Sequence, residues 1–263
     1  MSSIVRPTSA QMTRRLVVLA ATVFSIVVAQ VQMLLGWGQT AAEFAADSDA
    51  TLKASPWAFA IWGVIYLGLL VYAVRQALPR TGESILIHRL GWPSALALLG
   101  IGWWIVAAAL DAEVATIVLI FGSLLALLIP LLGNAGHVRA LSRGDRDRWT
   151  TVWPLALLAG WLTIAAPLNL ITVATGNGWL PAILSPTAWA MLAITLVAGT
   201  ALAVTRQLRS LAYALPIAWG LVGVFTAEQP RNAALGSFAL AAAVAVGVGA
   251  LLLTFRRRVE RRG

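Results

Sequence analysis

Eight runs of roughly 20 mostly apolar residues follow one another along this chain, and each could carry a helix across a hydrocarbon layer of about 30 Å. They cover residues 16–36, 57–78, 92–110, 114–133, 152–173, 187–205, 211–226 and 233–255. With 60% hydrophobic and 11% charged residues among 263, the chain has too little polar surface for a soluble domain of this size. The pattern predicts an all-α fold, a polytopic membrane helix bundle of about eight transmembrane helices in one domain, residues 1–263. Pro130, Pro167 and Pro216 fall inside spans and are expected to kink them, because each removes an i to i−4 bond. Arg14 and Arg15 before the first run could suggest a cleaved signal peptide; the 21-residue run exceeds the roughly 7–15 of a signal h-region, so a membrane helix is expected.

The net charge of +9 is read through its placement. If the amino terminus is cytoplasmic, the inner segments hold Arg6, Arg14 and Arg15, then Arg75, Arg80 and Arg89, then Arg139, Arg143, Arg146 and Arg148, then Arg206 and Arg209, and finally Arg256, Arg257, Arg258, Arg261 and Arg262. Of the 19 basic residues, only Lys53 and Arg231 lie outside, with Glu43, Asp47, Asp49, Asp111, Glu113 and Glu228. The positive-inside rule gives N-in, C-in and an even helix count. Arginines spread over five juxtamembrane segments form no single basic patch, so no nucleic-acid partner is expected; the lipid bilayer is. The expected location is a cell membrane crossed many times, the cytoplasmic membrane of a bacterium. The inner loop 134–150, with its RGDRDR run, reads as a solvated, self-paired turn.

No span carries an Asp, Glu, His, Lys or Arg at its middle, where such residues are costly and usually mark proton relays or ion paths. His88 and His137 fall in inner loops, as ordinary solvated side chains. The single lysine, Lys53, sits in an outer loop, which excludes a retinal Schiff base. There is no cysteine, so disulfides and thiolate chemistry are excluded. No catalytic or metal-binding residue is expected; binding or passive movement of an apolar ligand passes this filter.

Twelve tryptophans exceed what an interfacial aromatic belt needs. Trp62, Trp103, Trp104, Trp161 and Trp219 lie within spans. At a rise of about 1.5 Å per residue, Trp62 and Tyr66 sit roughly 8 and 14 Å below the outer end of the second span, and Trp103, Trp104 and Trp219 at roughly 9–11 Å. Trp161 is deeper and Asn169 shallower. These side chains gather beneath the outer loop 37–55, which contains Phe44. One reading is aromatic packing; the other is a concave apolar site with few polar groups. In SPWAFAIWGVIYLG, Phe59, Trp62 and Tyr66 form a stripe at i, i+3 and i+7. In WLTIAAPLN, Trp161, Ala165, Leu168 and Asn169 share one helix face: a ring, a small residue leaving room, and an amide that needs a partner across helices or on a ligand.

These two stretches resemble the TspO/MBR family, the tryptophan-rich sensory proteins. Pro56, Trp57, Phe59, Trp62 and Tyr66 are similar to its second-helix pattern, and Trp161, Ala165, Leu168 and Asn169, with Asn177 further on, to its fifth. Members have five helices, so the resemblance covers residues 15–177 as a TspO-like core and leaves 178–263 as a three-helix extension. It implies a cavity for a large flat hydrophobic molecule, a tetrapyrrole or sterol, near the loop between helices one and two. The expected site is Phe59, Trp62, Tyr66, Trp103, Trp104, Trp161, Ala165 and Asn169: Trp62 and Tyr66 stack on the ligand, Trp103, Trp104 and Trp161 wall it, and Asn169 orients it. The leading reading is a membrane ligand-binding or sensory protein whose partner is a hydrophobic small molecule, with a bound tetrapyrrole as the candidate cofactor. The alternatives are an uncoupled transporter of an apolar solute and, with less to carry it, a pigment- or lipid-modifying enzyme. A homodimer is left open. The main cavity is expected in the outer half, between the second, third and fifth spans, closed by the loop.

Overall fold

A computed structural model describes residues 7–46, 52–78 and 83–255. Arg6, Asp47, Asp49, Arg80 and the arginines from Arg256 to Arg262, used above to orient the chain, lie outside the described residues. Among the described residues there is no strand, and eight helices are long and apolar enough to cross a membrane. The chain is therefore a multi-pass helical membrane bundle.

The helices are α1 (Ser9–Leu35), the short α2 (Ala41–Phe44), α3 (Ile61–Ala77) entered through a 3-10 turn (Pro56–Ala60), α4 (Ile85–Ala109), α5 (Glu113–Gly133) and the short α6 (Ala135–Ala140). A π turn (Arg148–Val152) leads into α7 (Trp153–Gly176), followed by α8 (Pro186–Leu208), α9 (Leu211–Glu228) and α10 (Ala233–Phe255). Local chemistry sets several boundaries. Thr8 and Gln11 form a capping box before α1, satisfying amides that have no partner within the helix. Gly36, at φ 58°, ends α1 in the left-handed conformation that glycine adopts without strain. Ser185 caps α8 with Pro186 at the first helical position.

The eight spans coincide with the eight apolar runs, with two marked differences: the first starts at Ser9 rather than near residue 16, where Thr8 caps it. The third starts at Ile85 rather than near residue 92, because Ser84 caps it and the helix continues through Pro93. The Ser94 hydroxyl there donates to the Gly91 carbonyl at 2.7 Å and meets the Tyr72 hydroxyl at 2.8 Å. The helices also run on through Pro130, Pro167 and Pro216.

Burial identifies the centre: 72% of the apolar window of α7 is buried against 22% of that of α10. α7 is apolar on every side, as a helix enclosed by others must be, and it packs on α3, α5, α8 and α9. α4 lies between α1 and α5, and α10 covers α8 and α9. At Gly160 of α7 a Cβ would lie 2.0 Å from the Tyr213 carbonyl oxygen of α9. The absence of a side chain there lets the two backbones meet.

The inner loop corrects the expectation of a self-paired turn. Asp147 pairs with Arg75 of α3, and Arg75 also donates to the Thr150 and Thr151 hydroxyls at 2.8 and 2.7 Å. Self-pairing survives at Arg148, which donates to the Leu141 and Ser142 carbonyls of the same loop; the pairing of Asp147 is what differs. The reason Asp147 leaves the loop's own arginines is burial: the Arg75 side chain is 13% exposed, and a guanidinium at that depth takes the nearest carboxylate.

Candidate functional site: an aromatic cavity beneath a capped loop

The outer part of the bundle encloses an apolar cavity. Phe59 reaches it from the 3-10 turn, Trp62 from α3, Trp104 from α4, and Trp161, Ala165 and Asn169 from α7. Ile120 of α5 and Gly220 of α9 complete the wall, and Ala41, Phe44, Ala45 and Ala54 of the outer loop close it. The rings meet edge to face. Phe59 and Trp62 lie 5.9 and 6.3 Å from Trp161 at 81° and 79°, and Phe44 stands 5.9 Å from Trp104 at 82°. This geometry places the positive ring edge on the negative face. The cavity is about 40 Å³. That is room for a few waters; a larger guest needs the rings or the loop to part.

Six of the eight expected site residues come together here. Tyr66 does not line the cavity but lies behind Trp62, stacked at 5.1 Å and 30°. Trp103 points away, 54% exposed and tilted against Phe24 at 5.6 Å. Adjacent residues on a helix are about 100° apart, so Trp103 and Trp104 at one depth cannot face one space. Trp219 also stays outside: its indole donates to the Ala58 carbonyl at 2.8 Å and meets Trp57 edge to face.

Asn169 is 6% exposed and its amide is engaged. Its oxygen accepts from the Trp104 indole nitrogen at 3.0 Å, and its nitrogen donates to the Thr116 hydroxyl at 3.0 Å. The Thr116 hydroxyl in turn donates to the Glu113 backbone carbonyl at 2.6 Å. The amide thus ties α7 to α4 and α5 and sets the orientation of Trp104, while one N–H and one lone pair remain for a guest. Asn177 lies away from the cavity and donates to the Glu113 carboxylate. Replacing Asn169 by leucine is expected to leave the buried indole N–H without an acceptor, at about 1–3 kcal/mol. Combined with Trp104→Phe, which removes that N–H, it should show a favourable coupling in a double-mutant cycle read by thermal unfolding; strict additivity would refute the role given to Asn169.

The loop closure has its own local logic. Thr40 caps α2 and Glu43 returns the bond, Thr40 N to Glu43 Oε2 at 2.8 Å, so the sequence TAAE forms a capping box. Phe44 follows and is 3% exposed. That box, with an isolated aromatic behind it, was the signal in the loop that could have marked Phe44 as a wall residue. The backbone bond from Thr40, then its hydroxyl, hold the Glu43 carboxyl below its ordinary 4.5. A depressed folded value means the cap stabilises α2 above the ordinary range and is lost as pH falls through the depressed value. Solvent access to Ala45 should therefore increase on strong acidification and, in a Glu43→Gln variant, should not respond to pH over that range; the accessibility of a spin label, attached beforehand to a thiol introduced at position 45, to an aqueous relaxation agent reads both, since thiol labelling itself slows with acid.

Searches among curated proteins and among solved structures gave no match. A family model described as TSPO-like protein matches residues 14–252, a stretch that runs from α1 into α10 and takes in α8, α9 and α10 as well as the part carrying the two tryptophan motifs. A match over most of the chain, on an eight-helix bundle whose second and fifth spans bring those motifs face to face, leads to one conclusion: the chain belongs to the TSPO-like family.

Proposed function

We propose that this membrane protein binds a flat apolar molecule, of the tetrapyrrole or sterol class, in the outer-half cavity. The observation that carries the reading is the convergence of five rings, Phe44, Phe59, Trp62, Trp104 and Trp161, from four separate segments around a space with a single amide. Ring faces and edges hold a planar guest by area and quadrupole contact without charge. The rings now touching one another are the contacts a guest would replace, so binding is expected to move Phe44 and α2 outward. Residues 15–177 supply nearly all of the wall, and the last three helices brace it, with Gly220 of α9 admitting the Ile164 side chain of α7. A cell membrane with both ends cytoplasmic is the proposed setting.

Protoporphyrin IX added to the purified protein should quench tryptophan fluorescence saturably. Trp62→Ala with Trp161→Ala should weaken that binding by roughly ten- to a hundredfold, from about 0.5–1.5 kcal/mol per ring contact. Affinity unchanged in the double variant would reject the site. Flux assays in proteoliposomes separate binding from transport: bound porphyrin with no flux rules out the carrier alternative.

A further inference from the structure

We infer that Glu228, at the outer end of α9, is a latch that sets how tightly the loop closes over the cavity. The inference rests on the binding reading above and assigns regulation of that site to the last three helices. The Glu228 carboxylate is 1% exposed. Its Oε1 accepts the backbone N–H groups of Leu52 at 3.1 Å and Lys53 at 2.7 Å, 176 and 175 residues away, with Arg231 at 3.5 Å on the same atom. A buried carboxylate that receives two amides holds them more firmly than a neutral acceptor would.

The held segment is strained. Leu52 has φ 108°, a conformation that a branched side chain adopts only when its surroundings impose it. Here they do: its side chain is 1% exposed and its amide is tied to Glu228. Lys53 then carries the constraint to the other side of the loop, its Nζ donating to the Ala46 carbonyl at 3.0 Å, just beyond α2. Beyond the latch, the segment stays on α9 through Ser55 N to Gly223 O at 3.0 Å, the Ser55 and Thr226 hydroxyls at 2.8 Å, and Trp57 Nε1 to Thr226 Oγ1 at 3.2 Å. An unbroken polar path therefore runs from α9 through Lys53 to the turn that follows Phe44. Loss of Glu228 releases the strained residue and the ammonium's anchor together.

The chain has no cysteine, so a single thiol reports on the loop. Ala45→Cys, which lines the cavity, is introduced alone and with Glu228→Ala, Glu228→Gln or Lys53→Met, and each protein is labelled in vesicles by a membrane-impermeant maleimide without porphyrin. Glu228→Ala is expected to label about tenfold faster, the loss of charge-assisted bonds. Glu228→Gln, which keeps an acceptor oxygen but loses the charge, should fall between the parent and Glu228→Ala, as should Lys53→Met. Labelling of a folded Glu228→Ala variant at the parent rate overturns the latch. If that variant does not fold, Lys53→Met decides, and its labelling at the parent rate overturns the latch equally. A second arm follows release of protoporphyrin IX: faster labelling with unchanged release keeps the latch and rejects the binding reading, whereas faster labelling with faster release supports both.

Discussion

Gly160→Ala should lower the thermal unfolding midpoint steeply, by the equivalent of about 3 kcal/mol or more, and abolish porphyrin quenching with it. The added Cβ would sit 2.0 Å from the Tyr213 carbonyl oxygen, 2.8 Å from the Pro216 ring and 3.0 Å from the Tyr213 carbonyl carbon. No rotamer change relieves a contact with backbone, so α7 and α9 must separate. Both are deeply buried, joined one turn on by the Thr163 and Tyr213 hydroxyls at 2.6 Å. Trp161 is the next residue, and its ring lies 3.4 Å from where a Cβ on Gly220 would be, so separation displaces a cavity wall. Gly122→Ala is the control. Nothing lies within 4 Å of its Cβ position, and alanine should stabilise α5 by up to about 1 kcal/mol. Equal melting of the Gly160 and Gly122 variants would show that the α7–α9 approach is not limiting.

The eight spans were legible because length and apolarity alone decide them. The level of the cavity was legible because rise per residue and span direction turn sequence position into depth. What depth cannot supply is azimuth. Trp103 and Trp104 share a depth and differ only in the side of α4 they occupy; which side faces inward is fixed by Phe24 of α1 and Asn169 of α7, contacts made across long sequence separations. The same limit left open which partner Asn169 takes; of the two the sequence allowed, a neighbouring helix or a ligand, its amide is engaged across helices by Trp104 and Thr116. Glu228 and Lys53 were read as outer-face charges of opposite sign. Their connection needs the backbone of Leu52 folded against α9, which no local pattern announces. Gly160 and Gly220 look like any of the 22 glycines until a neighbour's carbonyl or the Ile164 side chain is placed beside them.

Arg14 and Arg15 make the point most sharply, since they were read as topogenic charges and both are 2% exposed. Their guanidinium groups converge on one oxygen of Glu83, Arg14 at 2.8 Å and Arg15 at 3.0 Å, and Arg14 also donates to His88 Nδ1 at 3.0 Å, a guanidinium having no acceptor to offer. Gly91 makes room for the Arg14 stem, whose Cδ lies 2.5 Å from where a Cβ would be. The Gln76 amide, 0% exposed, donates to the Arg15 carbonyl at 2.8 Å. These contacts bind α1 to α3 and α4 at the inner face. Glu83→Ala leaves two buried cations against no carboxylate. Losing a fully buried partner costs about 3–5 kcal/mol; with the Glu83 side chain 33% exposed, water offsets part of this, and about 2–3 kcal/mol is expected. Glu83→Gln should cost less, because it keeps an oxygen for one guanidinium. Adding Arg14→Met to Glu83→Ala should recover part of the loss, since it removes one of the stranded charges. In a double-mutant cycle the pair should then be clearly non-additive. If the double variant melts at the sum of the two single losses, the arginines are neutralised by something other than Glu83.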